Sequence, residues 1–268
     1  MLTIIVGVAL GLPLLLYLAQ DHLIFHPQPA PPATPRAQGR VVETVRIPVA
    51  DGTSLGGWLA HAPGATEAAK APLIIYFGGN AEEVSWMIEM APRFARWSLL
   101  AVNYRGYGGN PGAPGEKAIF ADALTLYDWA AARADVDPAR MAVIGRSLGS
   151  GVAVHVAIAR KPSGAVLITP YDSITAVAQA IYRFVPVSLL LRHPFDSLAR
   201  APSIEVPMLA LVAAQDQVIP PVHARRLFEA WRGEKKWREF PGAGHNDIDA
   251  DPAFWTSMRT FLESLERT

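Results

Sequence analysis

Apolar and polar positions along the chain fall into three regimes. Residues Leu2–Ala19 (LTIIVGVALGLPLLLYLA) form an uninterrupted, charge-free apolar run. Nine residues rich in proline, Pro27–Pro35 (PQPAPPATP), lie just beyond it. From residue 41 onward, short apolar runs alternate with longer amphipathic stretches. Val41–Val49 and Ser54–Ala60 read as two strands joined by the turn pair Asp51-Gly52. Leu73–Phe77, Leu99–Asn103, Met141–Ile144, Ala165–Ile168, Met208–Ala213 and Lys236–Phe240 read as further strands. Between them helical spacing predicts helices from about Ala81 to Ala91 and over Lys117–Arg133, Leu148–Arg160, Val222–Trp231 and Pro252–Leu265. Two initial strands followed by strict β-α alternation predict an α/β fold: a mostly parallel sheet covered on both faces. Residues 171–200 break the alternation and read as a short, apolar helical cap inserted after a strand.

The N-terminal run would span about 27 Å as a helix, close to the roughly 30 Å hydrocarbon core of a bilayer. No Lys or Arg precedes it, and Tyr17 stands where a signal-peptidase site needs a small residue. It is therefore read as an uncleaved single-pass anchor over residues 1–20, followed by a Pro-rich linker over 21–39 and a soluble domain over 40–268. The side of the membrane is left open. Gly7 and Gly11 form a GxxxG that would let two such helices pack closely, which makes a dimer an option.

Composition narrows the chemistry. Of 268 residues, 51% are hydrophobic, enough for a sizeable core. Lys plus Arg and Asp plus Glu are 24 each, so no basic surface marks a nucleic-acid partner. The absence of Cys excludes disulfides and thiolate chemistry. Asp247, Asp249 and Asp251 alternate like the start of a calcium loop, but Pro252 and Met258 stand where the loop needs Gly and Glu. Asp251 is instead read as a helix cap before Pro252, and no metal or cofactor is expected.

Gly145-Arg146-Ser147-Leu148-Gly149 joins a predicted strand directly to a predicted helix. That context fits a nucleophile elbow, in which Gly145 and Gly149 make room for a strained Ser147 and the helix N-terminus faces a developing oxyanion. A serine nucleophile needs a base, and the base an orienting acid. Among seven histidines, His22 and His26 adjoin the apolar run, His61 ends a strand, His155 lies two turns into the helix after Ser147, His193 sits in the cap and His223 opens a helix. Only His245 sits in a Gly-rich loop between the last strand and the last helix, which makes it the candidate base. Asp216, in the loop after Met208–Ala213, is the candidate acid, with Asp172 as the alternative. Gly78-Gly79-Asn80 closes the strand Leu73–Phe77, where the N–H of Asn80 could join that of Leu148 in an oxyanion hole.

Taken together, YFGGNAEE, NYRGYGGNPGAPGE, GRSLGSG, TPYDS, HPFDS, AAQDQVIP and PGAGHND resemble the α/β-hydrolase superfamily. Within it the chain looks like the membrane-anchored serine hydrolases of the bud-emergence (bem-like) type, related to serine aminopeptidase and prolyl-oligopeptidase catalytic domains. The resemblance implies Ser147 as nucleophile, Asp216 as acid, His245 as base, and Asn80 with Leu148 at the oxyanion hole. Gly78 replaces a histidine that braces this loop in many relatives, so a looser loop is expected. The implied activity is cleavage of carboxylic esters or thioesters with small-molecule or lipid-like acyl groups. A peptidase or amidase, and a non-catalytic membrane-tethered binding protein, are the alternatives.

Overall fold

The computed structural model describes residues 2–266. One eight-stranded sheet runs in the order β1-β2-β4-β3-β5-β6-β7-β8. Its strands are β1 (Val42–Pro48), β2 (Ser54–Ala60), β3 (Ala71–Phe77), β4 (Ser98–Val102), β5 (Val136–Arg146), β6 (Gly164–Ile168), β7 (Met208–Ala213) and β8 (Lys235–Phe240). β1 and β2 form an antiparallel hairpin and β2 meets β4 antiparallel; every pairing from β4 to β8 is parallel. Alternate residues of β3 show why its apolar run is unbroken. Leu73, Ile75 and Phe77 face one core and Ile74 and Tyr76 the other, all buried. The helices α3 (Glu116–Ala131), α4 (Leu148–Arg160) and α7 (Pro221–Ala230) cover one face, and α2 (Ser85–Glu89) and α8 (Pro252–Leu265) the other. α8 is capped by Asp251, whose side chain accepts the N–H of Ala253, as its position before Pro252 predicts.

Three differences from the sequence reading have physical causes. The helix expected from Ala81 shrinks to Ser85–Glu89 because Asn80–Val84 folds as a loop, with Ala81 at φ +54°. β5 starts five residues before the predicted Met141 because its first residue, Val136, is buried against Ala71 of β3. The third concerns the N-terminal helix α1 (Leu2–Ile24). Its second half does not stand free. Gln20 is buried and donates to the carbonyl of Leu190, while its Oε1 accepts the N–H of Arg192. Asp21 pairs with both Arg192 and His193, and Phe25 enters the core against His193 and Phe195. Among the described residues no helix is long and apolar enough to cross a membrane. This corrects the expected free transmembrane anchor, because the end of the apolar run is committed to the domain. The Gly7–Gly11 pattern falls where the side-chain surroundings lie outside the described residues.

The linker is packed too. The carbonyl of Gln28 accepts the N–H of Gly108, and Ala37 is buried.

His155, half-buried, stacks on Phe120 at 4.1 Å, and its Nδ1 has no partner among the described residues. Burial, with help from Arg200 and Arg160, lowers its pKa to about 4. The unfolded chain, near 6.5, therefore binds this proton first as pH falls. Its contribution to stability is complete above pH 6.5 and is lost between there and about 4. Between pH 7 and 5 the melting temperature should drop by roughly 2–4 °C more in the wild type than in His155→Phe, as read by calorimetry.

Candidate active site

β5 ends at Arg146 and α4 begins at Leu148, so Ser147 alone makes the turn. It does so at φ +50°, ψ −117°, a conformation that strains a residue carrying a Cβ. The glycines on either side follow from crowding. A Cβ on Gly145 would lie 2.2 Å from the carbonyl oxygen of Gly149, and one on Gly149 would lie 2.1 Å from that of Phe77. Two residues further on, a Cβ on Gly151 would lie 2.2 Å from the hydroxyl of Tyr171, so α4 packs close to the strand end.

The three chemistry-bearing side chains meet at the C-terminal edge of the sheet. His245 Nε2 lies 2.9 Å from Ser147 Oγ, and its Nδ1 lies 2.7 Å from Asp216 Oδ2. Asp216 is buried, and its other oxygen accepts the N–H groups of Val218 (2.9 Å) and Ile219 (2.7 Å). The carboxylate is thus locked with one oxygen on its own loop and the other on the imidazole. Such a chain can draw the proton from Ser147 and steady the imidazolium that results.

Asp172, the alternative acid, is placed elsewhere. It is buried against His223 Nδ1 at 2.8 Å, with Arg226 at 3.3 Å, and its Oδ1 also accepts the N–H of Ser173. Ser173 in turn caps the first cap helix, α5 (Ile174–Ile181). This second Asp–His pair secures the root of the cap and does not reach Ser147. Asp172→Asn should leave ester turnover nearly intact while costing roughly 3 kcal/mol of stability, measured by urea unfolding, because it removes a buried carboxylate held by His223, Arg226 and the N–H of Ser173.

Two further histidines are likewise occupied away from the site. His61 lies between Glu43 and Asp135, and His193 contacts Asp21 and the N–H of Glu116.

The loop after β3 is held firmly, contrary to the looser loop expected from Gly78. Tyr104 donates to the carbonyl of Gly78 at 2.9 Å, and Glu82 accepts the N–H of Gly79 at 2.7 Å. A Cβ at position 78 would lie 2.7 Å from Val84 Cγ1, so a larger residue there would need Val84 to shift. The Asn80 amide is fixed through Oδ1, which accepts the N–H of His26 and the hydroxyl of Tyr107, each at 2.9 Å. Burial pushes the Tyr107 phenol up to about 12, which keeps it a donor. With the N–H of Gly79 already used, those of Asn80 and Leu148 are left without protein acceptors among the described residues, beside Ser147.

These bracing groups were not legible as such. Tyr104 and Tyr107 lie in NYRGYGGN and Glu82 in YFGGNAEE, two of the stretches that carry the resemblance; His26 carried no signal.

Ser147 opens into a cavity of about 310 Å³. Its walls come from α1 (Leu16, Tyr17, Ile24), from the cap helices α5 and α6 (Val187–Leu190), and from Val218 and Ile219 beside Asp216. Among the described residues no charged side chain lines it.

Across 272 aligned residues the chain is 36% identical to an uncharacterised protein of Mycobacterium tuberculosis, covering 98% of this chain and 92% of that protein. It is 26% identical to the alpha/beta hydrolase domain-containing protein WAV2 of Arabidopsis thaliana, covering 97% and 91%. The chain belongs to the α/β-hydrolase superfamily. Protein bem46 of Schizosaccharomyces pombe is a further relative of this hydrolase, 24% identical over 85% of the chain and 79% of bem46. No family model matches. Among solved structures, the acetyl xylan esterase from Paenibacillus sp. R4 superposes with a TM-score of 0.71 at 23% identity, covering 85% of this chain and 84% of that one. That likeness establishes the shared fold.

Proposed function

We propose that this α/β-hydrolase cleaves carboxylic esters or thioesters of apolar acyl groups through an acyl-enzyme. The observation that carries the reading is the chain Ser147–His245–Asp216 on a strained elbow at the floor of an apolar cavity. Ser147 Oγ attacks the carbonyl carbon as His245 Nε2 takes its proton. The carbonyl oxygen gains negative charge and moves toward the N–H groups of Leu148 and Asn80, at the N-terminus of α4. Collapse of this tetrahedral intermediate breaks the ester C–O bond or the thioester C–S bond. His245 returns its proton to the departing alcohol or thiol. Water, deprotonated by His245, then attacks the acyl carbon, and the carboxylic acid leaves as Ser147 regains its proton. Asp216 keeps the ring in the tautomer that presents a bare Nε2 to Ser147.

An apolar cavity with no charged wall favours an acyl chain over an amino terminus, which would need a carboxylate partner. With p-nitrophenyl esters of rising chain length, kcat/KM should climb about tenfold from acetate to butyrate, since each buried methylene contributes about 0.8 kcal/mol. Aminoacyl p-nitroanilides should be turned over far more slowly. A preference for the anilides would replace this reading with a peptidase.

A further inference from the structure

Glu82, two residues past Asn80, turns its carboxylate back onto the oxyanion loop, and its side chain is only 11% exposed. Oε2 accepts the N–H of Gly79 at 2.7 Å. Oε1 accepts the Tyr76 hydroxyl at 2.6 Å and the Trp86 indole N–H at 2.8 Å. Arg146, the residue before the nucleophile, brings a guanidinium nitrogen to 4.0 Å from Oε2 and lies over the Trp86 ring. It also donates to the carbonyl of Asn246, next to His245, at 3.4 Å. The cluster thus ties together the oxyanion loop, the elbow and the loop of the base. Gly79 lies between the carboxylate and the nucleophile: a Cβ there would be 3.0 Å from Glu82 Oε2 and 3.5 Å from Ser147 Cβ.

Two of these donors cannot change role. A backbone N–H and an indole N–H only donate. They lie on different oxygens, so both ends of the side chain at position 82 must accept. An ionised carboxylate meets that demand. An amide of the same shape does not, because one of its ends is an NH₂. The Tyr76 hydroxyl is the adaptable member, a donor to a carboxylate but able to accept from an amide. The negative charge itself is no advantage, since it opposes an oxyanion forming nearby, and Arg146 offsets it. What the carboxylate supplies is direction. Holding the Gly79 N–H fixes the peptide unit just before the oxyanion donor and leaves the Asn80 N–H as the free donor of the loop.

We propose that ionised Glu82 is a positioning residue for the oxyanion hole. Through Gly79 it sets the place of the Asn80 N–H, so it acts on the transition state and not on ester binding. The proposal takes its reaction from the esterase reading above.

The test compares the full chain as wild type, Glu82→Gln, Trp86→Phe and Glu82→Gln/Trp86→Phe. Each is assayed with p-nitrophenyl butyrate and with an alkyl trifluoromethyl ketone as inhibitor. Ser147 Oγ adds to the ketone carbon, its proton passes to His245, and the ketone oxygen becomes an alkoxide in the hole. Glu82→Gln should lower kcat roughly 10- to 100-fold with KM within about twofold, and weaken ketone inhibition by a similar factor. Trp86→Phe should stay within about threefold of wild type, since it removes one hydrogen bond outside the reacting groups. It also removes the donor that forbids an NH₂ at Oε1. In the double variant the amide can give its oxygen to Gly79 and its NH₂ to Tyr76, so activity should return to within about threefold of Trp86→Phe. A side chain that mattered only for stability would make the double variant worse than either single one. Unchanged kcat and ketone inhibition in Glu82→Gln overturn the proposal, as does a double variant at least as impaired as Glu82→Gln. If Glu82→Gln fails to fold, a double variant with the rates of Trp86→Phe supports the proposal and one without them overturns it. Absence of butyrate hydrolysis in the wild type would sink the esterase reading, and the ketone would still decide the role of Glu82. A wild type that does not bind the ketone either overturns both.

Discussion

Ser147→Ala should reduce turnover of p-nitrophenyl esters by about 10⁴-fold or more and abolish covalent labelling by a fluorophosphonate probe. Nothing else in the site can take over. Apart from His245, the base, the polar groups beside Ser147 are the Asn80 amide, held by His26 and Tyr107, and backbone N–H groups, none of them nucleophilic. The variant should fold normally, because an alanine must adopt the same backbone as the serine it replaces and the flanking glycines keep their room. Failure of the wild type to label, or equal labelling of Ser147→Ala, would favour a binding protein that keeps the fold without the chemistry.

The second large effect is expected from Asp216→Asn, a drop in kcat of about 10⁴-fold with little change in KM. The reason lies in how Asp216 divides its two oxygens. One accepts the N–H groups of Val218 and Ile219, and the other faces His245 Nδ1. In the variant those two backbone donors claim the amide oxygen. The amide NH₂ must then point at His245, so Nδ1 becomes the acceptor and the ring proton moves to Nε2. An Nε2–H cannot take the proton of Ser147. Asp172→Asn, measured alongside, separates the two acids, since the Asp172 carboxylate is held by His223 and Arg226 and not by His245. If Asp172→Asn lost activity and Asp216→Asn kept it, the assignment of the acid would be reversed.

Much of this was legible in the chain. Parallel strands buried on both faces must be apolar throughout, so LIIYF, MAVI and MLALV mark themselves as strands. Ser147, Asp216 and His245 could be placed because each sits in a loop following a predicted strand, and a parallel sheet brings all such loops to one edge. Asp216 was preferred to Asp172 for its loop after Met208–Ala213, and the resemblance implied the same acid, although both loops reach that edge. What separates them is the position of His223, on a helix whose contacts spacing does not reveal. The N-terminal segment was misjudged for a related reason. An apolar helix destined for lipid and one destined for a protein groove look alike over ten residues. The partners that fix this one, Arg192 and His193, lie about 170 positions away.

The hydrogen bond from the His26 N–H to Asn80 bears on how this protein should be handled. Cutting away an apolar N-terminus is a common route to a soluble sample. A chain shortened to begin at Arg40 would keep its sheet, its elbow and Ser147 with His245. It would lack one wall of the cavity and one of the two donors that fix the Asn80 amide. Such a sample would still label at Ser147, yet its chain-length preference would belong to a wider, wetter opening than the one the whole chain builds.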